Sequence, residues 1–286
     1  MMHSVELKLH KFLQDAAKGN VRISVKTATK IGEDVKDAVL KQFDNTEKRK
    51  FRLRMSNIGK PYCQLWFEKN KPEEALPRSN TFAVTMLIGD ITEAVLKGLM
   101  TEAGIEYGDS EHVILDIETG KISGSYDISL DGSVVDIKSA SDWSYKNKFE
   151  SYQTLKNGDA FGYVGQLAGY AKASGLKPGG WLVLNKSTGD FKYVSAELDI
   201  EEELAKLKET HDRLEKNEFE RCFEPVAEVF NRKETGNTVL PKECTFCDFR
   251  KSCWPNLIEH PSVMSKAKDP KIVSYISLVN KNEDAH

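Results

Sequence analysis

No stretch of this 286-residue sequence approaches the ~20 consecutive apolar residues that a bilayer-spanning helix requires. No membrane partner is therefore expected. The segment SVELKLHKFLQDAAKG near the start is charged and helix-like and has no signal-peptide pattern, so the expected location is a cytoplasm. An excess of one charge is also missing: 41 Lys and Arg stand against 44 Asp and Glu, a net charge of −3. That balance excludes a uniformly basic surface and leaves any nucleic-acid contact to local patches. There is no internal repeat and no low-complexity tract. None of the six histidines pairs at metal-ligand spacing, which disfavours a histidine-rich zinc hydrolase. Cysteines are few and odd in number, five, and without a secretory signal they are not expected to form disulfides.

The 40% hydrophobic content is enough for a sizeable core in one elaborated domain or two small ones. Residues 1–80 read as a helical arm carrying Cys63, residues 81–200 as a core, and residues 201–286 as a C-terminal helix with a cysteine cluster, all within one domain. KPEEALPRSN, residues 71–80, is the linker or long-loop candidate. TFAVTMLIGDITEAVLKGLMTEAG then has apolar residues at helical spacing and stops near Gly104, as a buried helix would. HVILDI, KISGSYDISL and SVVDIKSA alternate apolar and polar residues between the turn signals ETGK and DG, predicting a β-meander. A helix broken at Gly158-Asp159 should follow over Tyr145 to Ser174, then a hairpin around STGD, then a surface helix over Asp199 to Asn217. The fold class is α/β, a mixed central sheet with the meander at its middle and helices on its faces.

The chemistry concentrates at Asp131-Gly132, a two-residue hairpin turn that puts Leu130 opposite Ser133 and, by continuation, Asp127 opposite Asp136. With period-two alternation, Tyr126, Ile128 and Leu130 share an apolar face with Val135 and Ile137, and Asp127, Asp136 and Lys138 share the other. Opposed carboxylates with Cβ atoms roughly 4.5–5.5 Å apart repel unless something positive lies between them. Mg²⁺ or Mn²⁺, which prefer oxygen ligands, would fill that role, and Lys138 could hold or activate a water beside the ion. A half-buried hairpin with a polar outer face would account for Asp-x-Lys by itself. The opposed second carboxylate makes the pattern more specific.

Cys244, Cys247 and Cys253 place three soft ligands within ten residues, and Cys63 could supply a fourth, leaving Cys222 spare. Four thiolates suit a [4Fe–4S] cluster or a tetrahedral Zn²⁺, and spacing does not separate the two. Closing so long a loop gives the centre a mainly structural role. KRKFRLR, residues 48–54, interleaves five cations with Phe51 and Leu53 and could track a DNA backbone, although a charge run is more often a solvated face. Lys146, Lys148 and Lys156 are similar candidates. Trp143 and Tyr145 could stack on bases, with packing the commoner use.

On these residues the sequence resembles the PD-(D/E)XK nuclease superfamily, and within it the RecB-like exonucleases with a four-cysteine iron–sulfur cluster, including those of CRISPR adaptation and related phage proteins. GDITE (89–93) looks like the first motif, GSYD (124–127) the second, DIK (136–138) the third, and QLAGY (166–170) the Gln-x-x-x-Tyr motif. Tyr126 stands where the superfamily name has proline, and Glu93 where many members have histidine. The resemblance spans Cys63 to Cys253 and implies a restriction-endonuclease-like sheet with a helical, iron–sulfur-tied cap. It also implies Glu93, Asp127, Asp136 and the Ile137 carbonyl as metal ligands, Lys138, Gln166 and Tyr170 as further catalytic residues, and Cys63, Cys244, Cys247 and Cys253 as cluster ligands. The implied activity is metal-dependent exonucleolytic hydrolysis of DNA in recombination, repair or processing, with a homo-oligomer or a recombination or CRISPR-adaptation protein as further partner. A structure-specific endonuclease on the same site is the first alternative. A non-catalytic, cluster-bearing DNA-binding protein is the second, though a dead site has no reason to retain opposed carboxylates that cost stability. Glycines 162, 165 and 169 read as close-packing positions.

Overall fold

The computed structural model describes residues 2–44, 51–77, 80–118 and 120–279, and it is mixed α/β. In chain order the helices are α1 (Ser4–Ala17), α2 (Val25–Phe43), α3 (Met55–Ile58), α4 (Tyr62–Asn70), α5 (Phe82–Glu102), α6 (Tyr152–Asn157), α7 (Tyr163–Ser174), α8 (Ile200–Lys216) and α9 (Arg250–Cys253). The strands are β1 (Glu111–Ile117), β2 (Gly120–Tyr126), β3 (Ile128–Leu130), β4 (Ser133–Ala140), β5 (Lys177–Asn185), β6 (Phe191–Ser195), β7 (Val226–Phe230), β8 (Lys233–Val239), β9 (Ile258–Pro261) and β10 (Ile272–Ser277). The chain groups into two compact units, one of Met1–Gly59 with Ser79–Asp212, the other of Lys60–Arg78 with Arg213–His286.

The first unit is built on a four-stranded sheet of order β3-β4-β5-β6, in which β4 and β5 run parallel and the outer pairs antiparallel. Asp131 and Gly132 both have positive φ, 47° and 72°, the geometry of the expected two-residue turn, and Leu130 pairs with Ser133. The parallel β4–β5 pair needs a crossover, and residues 141–176 supply it as a short π-helical turn (Ser144–Lys148) followed by α6 and α7. Strand β4 is consequently packed on both faces. Val135 and Ile137 join Ile128, Leu130 and Leu182 in a core with Leu9 of α1 and with Leu96 and Met100 of α5. Val134 and Ala140 join Trp181, Val183 and the α7 residues Val164, Leu167 and Tyr170 in another.

The meander is not continuous. KISGSYDISL breaks at Asp127: β1 and β2 form a separate two-stranded sheet, while β3 pairs with β4. Tyr126 therefore packs in the core with Trp181 and Tyr170 rather than beside Ile128 and Leu130. The physical reason lies at the break, where the Asp127 carboxylate, not a strand carbonyl, takes the Ile137 amide hydrogen. Helix α5 ends as expected, with Gly104 at φ 63° just beyond it, but only its second half is buried, and Phe82, Val84, Met86 and Ile88 are exposed.

The glycines of the α7 region do permit close packing. Gly162 caps α7 in the left-handed region at φ 73°, and a β-carbon there would overlap the backbone of Gly59. A β-carbon on Gly169 would lie 2.7 Å from Met55 Sδ, and one on Gly165 3.1 Å from Leu207 Cδ2.

The second unit is a correction to the expected helical cap, because it holds a four-stranded antiparallel sheet of order β7-β8-β10-β9 alongside the short α4 and α9. Its first hairpin turns on Asn231-Arg232, both at positive φ, a pair without the glycine that marks such turns in a sequence. Phe67, Leu240, Cys244, Phe249, Cys253 and Trp254 form its core.

Gly162→Ala should lower stability by more than about 2 kcal/mol, since it combines an unfavourable φ with a backbone overlap. Urea denaturation measures this; a loss below about 0.5 kcal/mol would show that the Gly59–Gly162 approach relaxes freely.

Candidate active site

The predicted residues of the first unit occupy three elements. β4 carries Asp136 and Lys138, which share a face with Val134 and Ala140 and so lie on the α7 side of the sheet. Asp136 is only 3% exposed. Lys138 Nζ lies 2.6 Å from Asp136 Oδ2, yet that oxygen receives no geometrically sound hydrogen bond, so the pair is an ion contact with unused acceptor capacity. Asp127 sits one residue past the last β3–β4 ladder pair, Ile128–Val135, and its Oδ2 accepts the Ile137 amide at 2.7 Å. The expected opposition of Asp127 and Asp136 thus arises from a side chain bonding the neighbouring strand, not from ladder pairing.

Burial, and then the charge of Asp136, push the Asp127 carboxyl up to about 7, against the pull of Lys138 and the Ile137 amide. For Lys138, burial works to lower the pKa, but Asp136 and Asp127 outweigh it and hold the ammonium above its usual range. Glu93, on α5, belongs to the same field: burial and then the charge of Asp127 raise its carboxyl, while Lys97, one turn on and 2.7 Å away, opposes them. Lys97 is a partner that the motif reading passed over, although its i,i+4 spacing from Glu93 is visible in the sequence. Gly89 is not sterically demanded here, since a β-carbon would make only ordinary contact, 3.9 Å, with Ser139 Oγ of β4.

On α7, Gln166 Nε2 donates to Tyr170 Oη at 3.4 Å. Burial raises the Tyr170 phenol to about 12, with Asp136 and Asp127 adding to the effect and the Gln166 bond opposing it. The glycine of GSYD has a steric reason: a β-carbon on Gly124 would lie 2.8 Å from Met55 Cβ and 3.0 Å from Tyr170 Cε1. Glu93, Asp127, Asp136, Lys138, Gln166 and Tyr170 are therefore brought together. The motif reading missed Tyr163, whose ring lies 5.0 Å from Lys138 Nζ, and Asp159, whose Oδ2 accepts the Val164 amide at 2.8 Å at the start of α7.

Among the described residues no three His, Cys, Asp or Glu groups converge closely enough to hold a metal ion with the side chains as they stand. The ammonium groups explain the spacing of the carboxylates, Lys138 holding Asp136 and Lys97 holding Glu93. The donor set nonetheless fits a hard divalent cation: Asp127 lies in the field of Asp136, and Glu93 in that of Asp127, all of them oxygen donors.

The five cysteines all fall in the second unit, as free thiols. Cys244, Cys247 and Cys253 sit in or against its apolar core. Burial raises Cys244 to about 12, Cys247 to about 11, and Cys253 above its usual value, with Arg221 opposing the last. Cys222, read as spare, is not remote from the others: its Sγ accepts the Cys63 amide at 3.1 Å. The bond between the two side chains raises Cys63 and lowers Cys222 to about 7.

Of the basic candidates, Lys48, Arg49 and Lys50 lie outside the described residues. Arg52 donates to Ser123 Oγ at 3.3 Å, and Arg54 bridges to Ser123 through its backbone. Lys146 pairs with Asp142 at 2.9 Å and Lys156 with Glu202 at 3.7 Å, so both have ordinary surface partners. The Tyr145 ring lies under Lys192, and Trp143 is exposed.

No family model and no curated protein matches the sequence. Among solved structures, the one described as "Crystal structure of SSO0001" is similar at 14% identity and a TM-score of 0.40, covering 64% of this chain and 85% of that one. A likeness of that size identifies neither fold family nor activity.

Because the Asp127 pKa is raised from its usual value near 4 to about 7, the folded protein binds more protons than the unfolded chain between those values. This residue's contribution to stability should fall as pH rises from about 4 to 7 and stay flat above. Asp127→Asn, which keeps an oxygen for the Ile137 amide, should therefore be more stabilising at pH 7.5 than at pH 5. Denaturation in chelator at the two pH values tests it; an equal difference at both would show that Asp127 ionises normally.

Proposed function

We infer that this protein is a metal-dependent deoxyribonuclease that hydrolyses DNA phosphodiesters from an end, on a site made by Glu93, Asp127, Asp136 and Lys138. The observation that carries the reading is a pair of buried carboxylates, Asp127 just before β3 and Asp136 in the middle of β4, with an ammonium 2.6 Å from Asp136 and a third carboxylate, Glu93, in the field of Asp127. Structural packing gains nothing from concentrating charge there; binding a cation and a phosphate does. The resemblance of GDITE, GSYD, DIK and QLAGY to the motifs of RecB-like nucleases of the PD-(D/E)XK superfamily points the same way.

Asp127, Asp136 and Glu93 would hold Mg²⁺ or Mn²⁺, with the Ile137 carbonyl as an additional ligand. Such an ion polarises a phosphodiester and lowers the pKa of bound water. Lys138 stays cationic at neutral pH and is available to orient the attacking water or the phosphate. Tyr170 stays protonated up to about pH 12, and because Gln166 donates to its oxygen, the phenol hydrogen remains free for a phosphate oxygen. Cys63, Cys244, Cys247 and Cys253 would carry a structural [4Fe–4S] cluster, with Zn²⁺ the other occupant that four thiolates suit. DNA is the expected partner.

End-labelled linear DNA should be degraded with Mn²⁺ or Mg²⁺ while closed circular DNA survives, and Lys138→Ala should lose at least ~100-fold in rate. Cutting of the circle would make the enzyme an endonuclease, and inertness under both metals would overturn the reading. Protein purified without oxygen should be brown and carry about four irons per chain. A colourless protein with stoichiometric zinc would assign the thiols to Zn²⁺.

A further inference from the structure

The aromatic residues beside Lys138 take no part in metal or phosphate binding as described. Tyr163 opens α7 with its ring 5.0 Å from Lys138 Nζ. Phe161 stacks on Tyr163 at 5.7 Å between centroids and 21° between planes, and Phe149 does so at 6.1 Å and 21°. Lys148 Nζ lies 4.3 Å from the centre of the Tyr163 ring and 4.7 Å from that of Phe161. The ladder therefore runs from a buried ring, Phe149, through Tyr163 to Phe161, which is 49% exposed. The turn that presents Phe161 is fixed from behind, because Asp159 caps the first amides of α7 and Gly162 is locked against Gly59.

A benzyl ring held half in water, braced by a second ring and flanked by the Lys148 ammonium, with Lys138 on the bracing ring, is matched by a ligand that is flat and π-faced on one part and anionic on another. An unpaired nucleobase and its phosphates are such a ligand. Within a duplex the base faces are covered by their own stack, so only an unwound or single-stranded segment can offer one to Phe161. The distance is apt as well: a single ring, Tyr163, separates Phe161 from Lys138, so a base stacked on Phe161 would lie close to a phosphate at that lysine.

We propose that Phe161, braced by Tyr163 and flanked by Lys148, is a base-stacking site for single-stranded DNA that seats an unpaired nucleotide beside the carboxylates. This rests on, and narrows, the nuclease reading by making a single strand the substrate at the site. Fluorescence anisotropy of the full chain in chelator, with an oligothymidylate and an abasic strand of equal length, separates stacking from backbone attraction. The wild type should prefer the oligothymidylate. Phe161→Ala should weaken that complex roughly 5- to 100-fold and leave abasic binding unchanged, while Phe161→Trp should retain the preference. Equal binding of both strands by the wild type, or no effect of Phe161→Ala, would overturn the proposal. Base-dependent binding lost in Phe161→Ala, in a protein that cleaves no DNA with either metal, would support the stacking site while removing the nuclease.

Discussion

Concentrating charge on a strand packed on both faces is the constraint to which the rest of the first unit answers. Taking a carboxylate or an ammonium out of water costs several kcal/mol even after relaxation. Two like charges 4 Å apart repel by roughly 4 kcal/mol at an effective dielectric constant of 20. Asp136 and Lys138 meet this cost by pairing with each other, and Asp127 by accepting the Ile137 amide. The apolar residues alternating with them, Val134, Val135, Ile137 and Ala140, pack into the cores on either face. Complete burial of such an aliphatic side chain contributes about 1.5–3 kcal/mol, so the alternation that positions the charges also offsets part of their desolvation.

The compensation is incomplete in a direction that matters for chemistry. Asp127 and Glu93 are both raised, first by burial and then by a neighbouring negative charge. Burial, reinforced by the same negative field, holds the Tyr170 phenol above its ordinary value.

The second unit has a different constraint, thiols held in an apolar core. Burial holds the thiols of Cys244 and Cys247 above their ordinary value, so a metal bound there would have to displace their protons. Aromatic packing of Phe67 on Phe249 at 5.3 Å, and of Arg221 over Trp254 at 4.5 Å with its guanidinium bonded to the Cys253 carbonyl, holds the segments that bear the cysteines.

Local pattern alone was sufficient for the Asp131-Gly132 turn, the β5–β6 hairpin, the span of α8 and the end of α5, because each depends on contacts within a few residues. It was also sufficient to put Asp136 and Lys138 on one face, since alternation along a strand has a fixed period. It was insufficient at Asp127, where the chain leaves one sheet for another and a side chain replaces a ladder bond, so Tyr126 turned out to face the other core. The Asn231-Arg232 hairpin was illegible for want of a glycine, and with it the sheet that takes the place of a helical cap. Lys97 beside Glu93 was within reach of helical spacing. The stacking of Phe161 on Tyr163 over Lys138, and the bond between Cys63 and Cys222, were not, because they join residues whose proximity depends on long-range packing. Sequence by itself determined which ionisable residues stand on which local face, because strand and helix periods are fixed; only the tertiary structure decided their neighbours, and through burial and charge those neighbours set the state in which each residue is held.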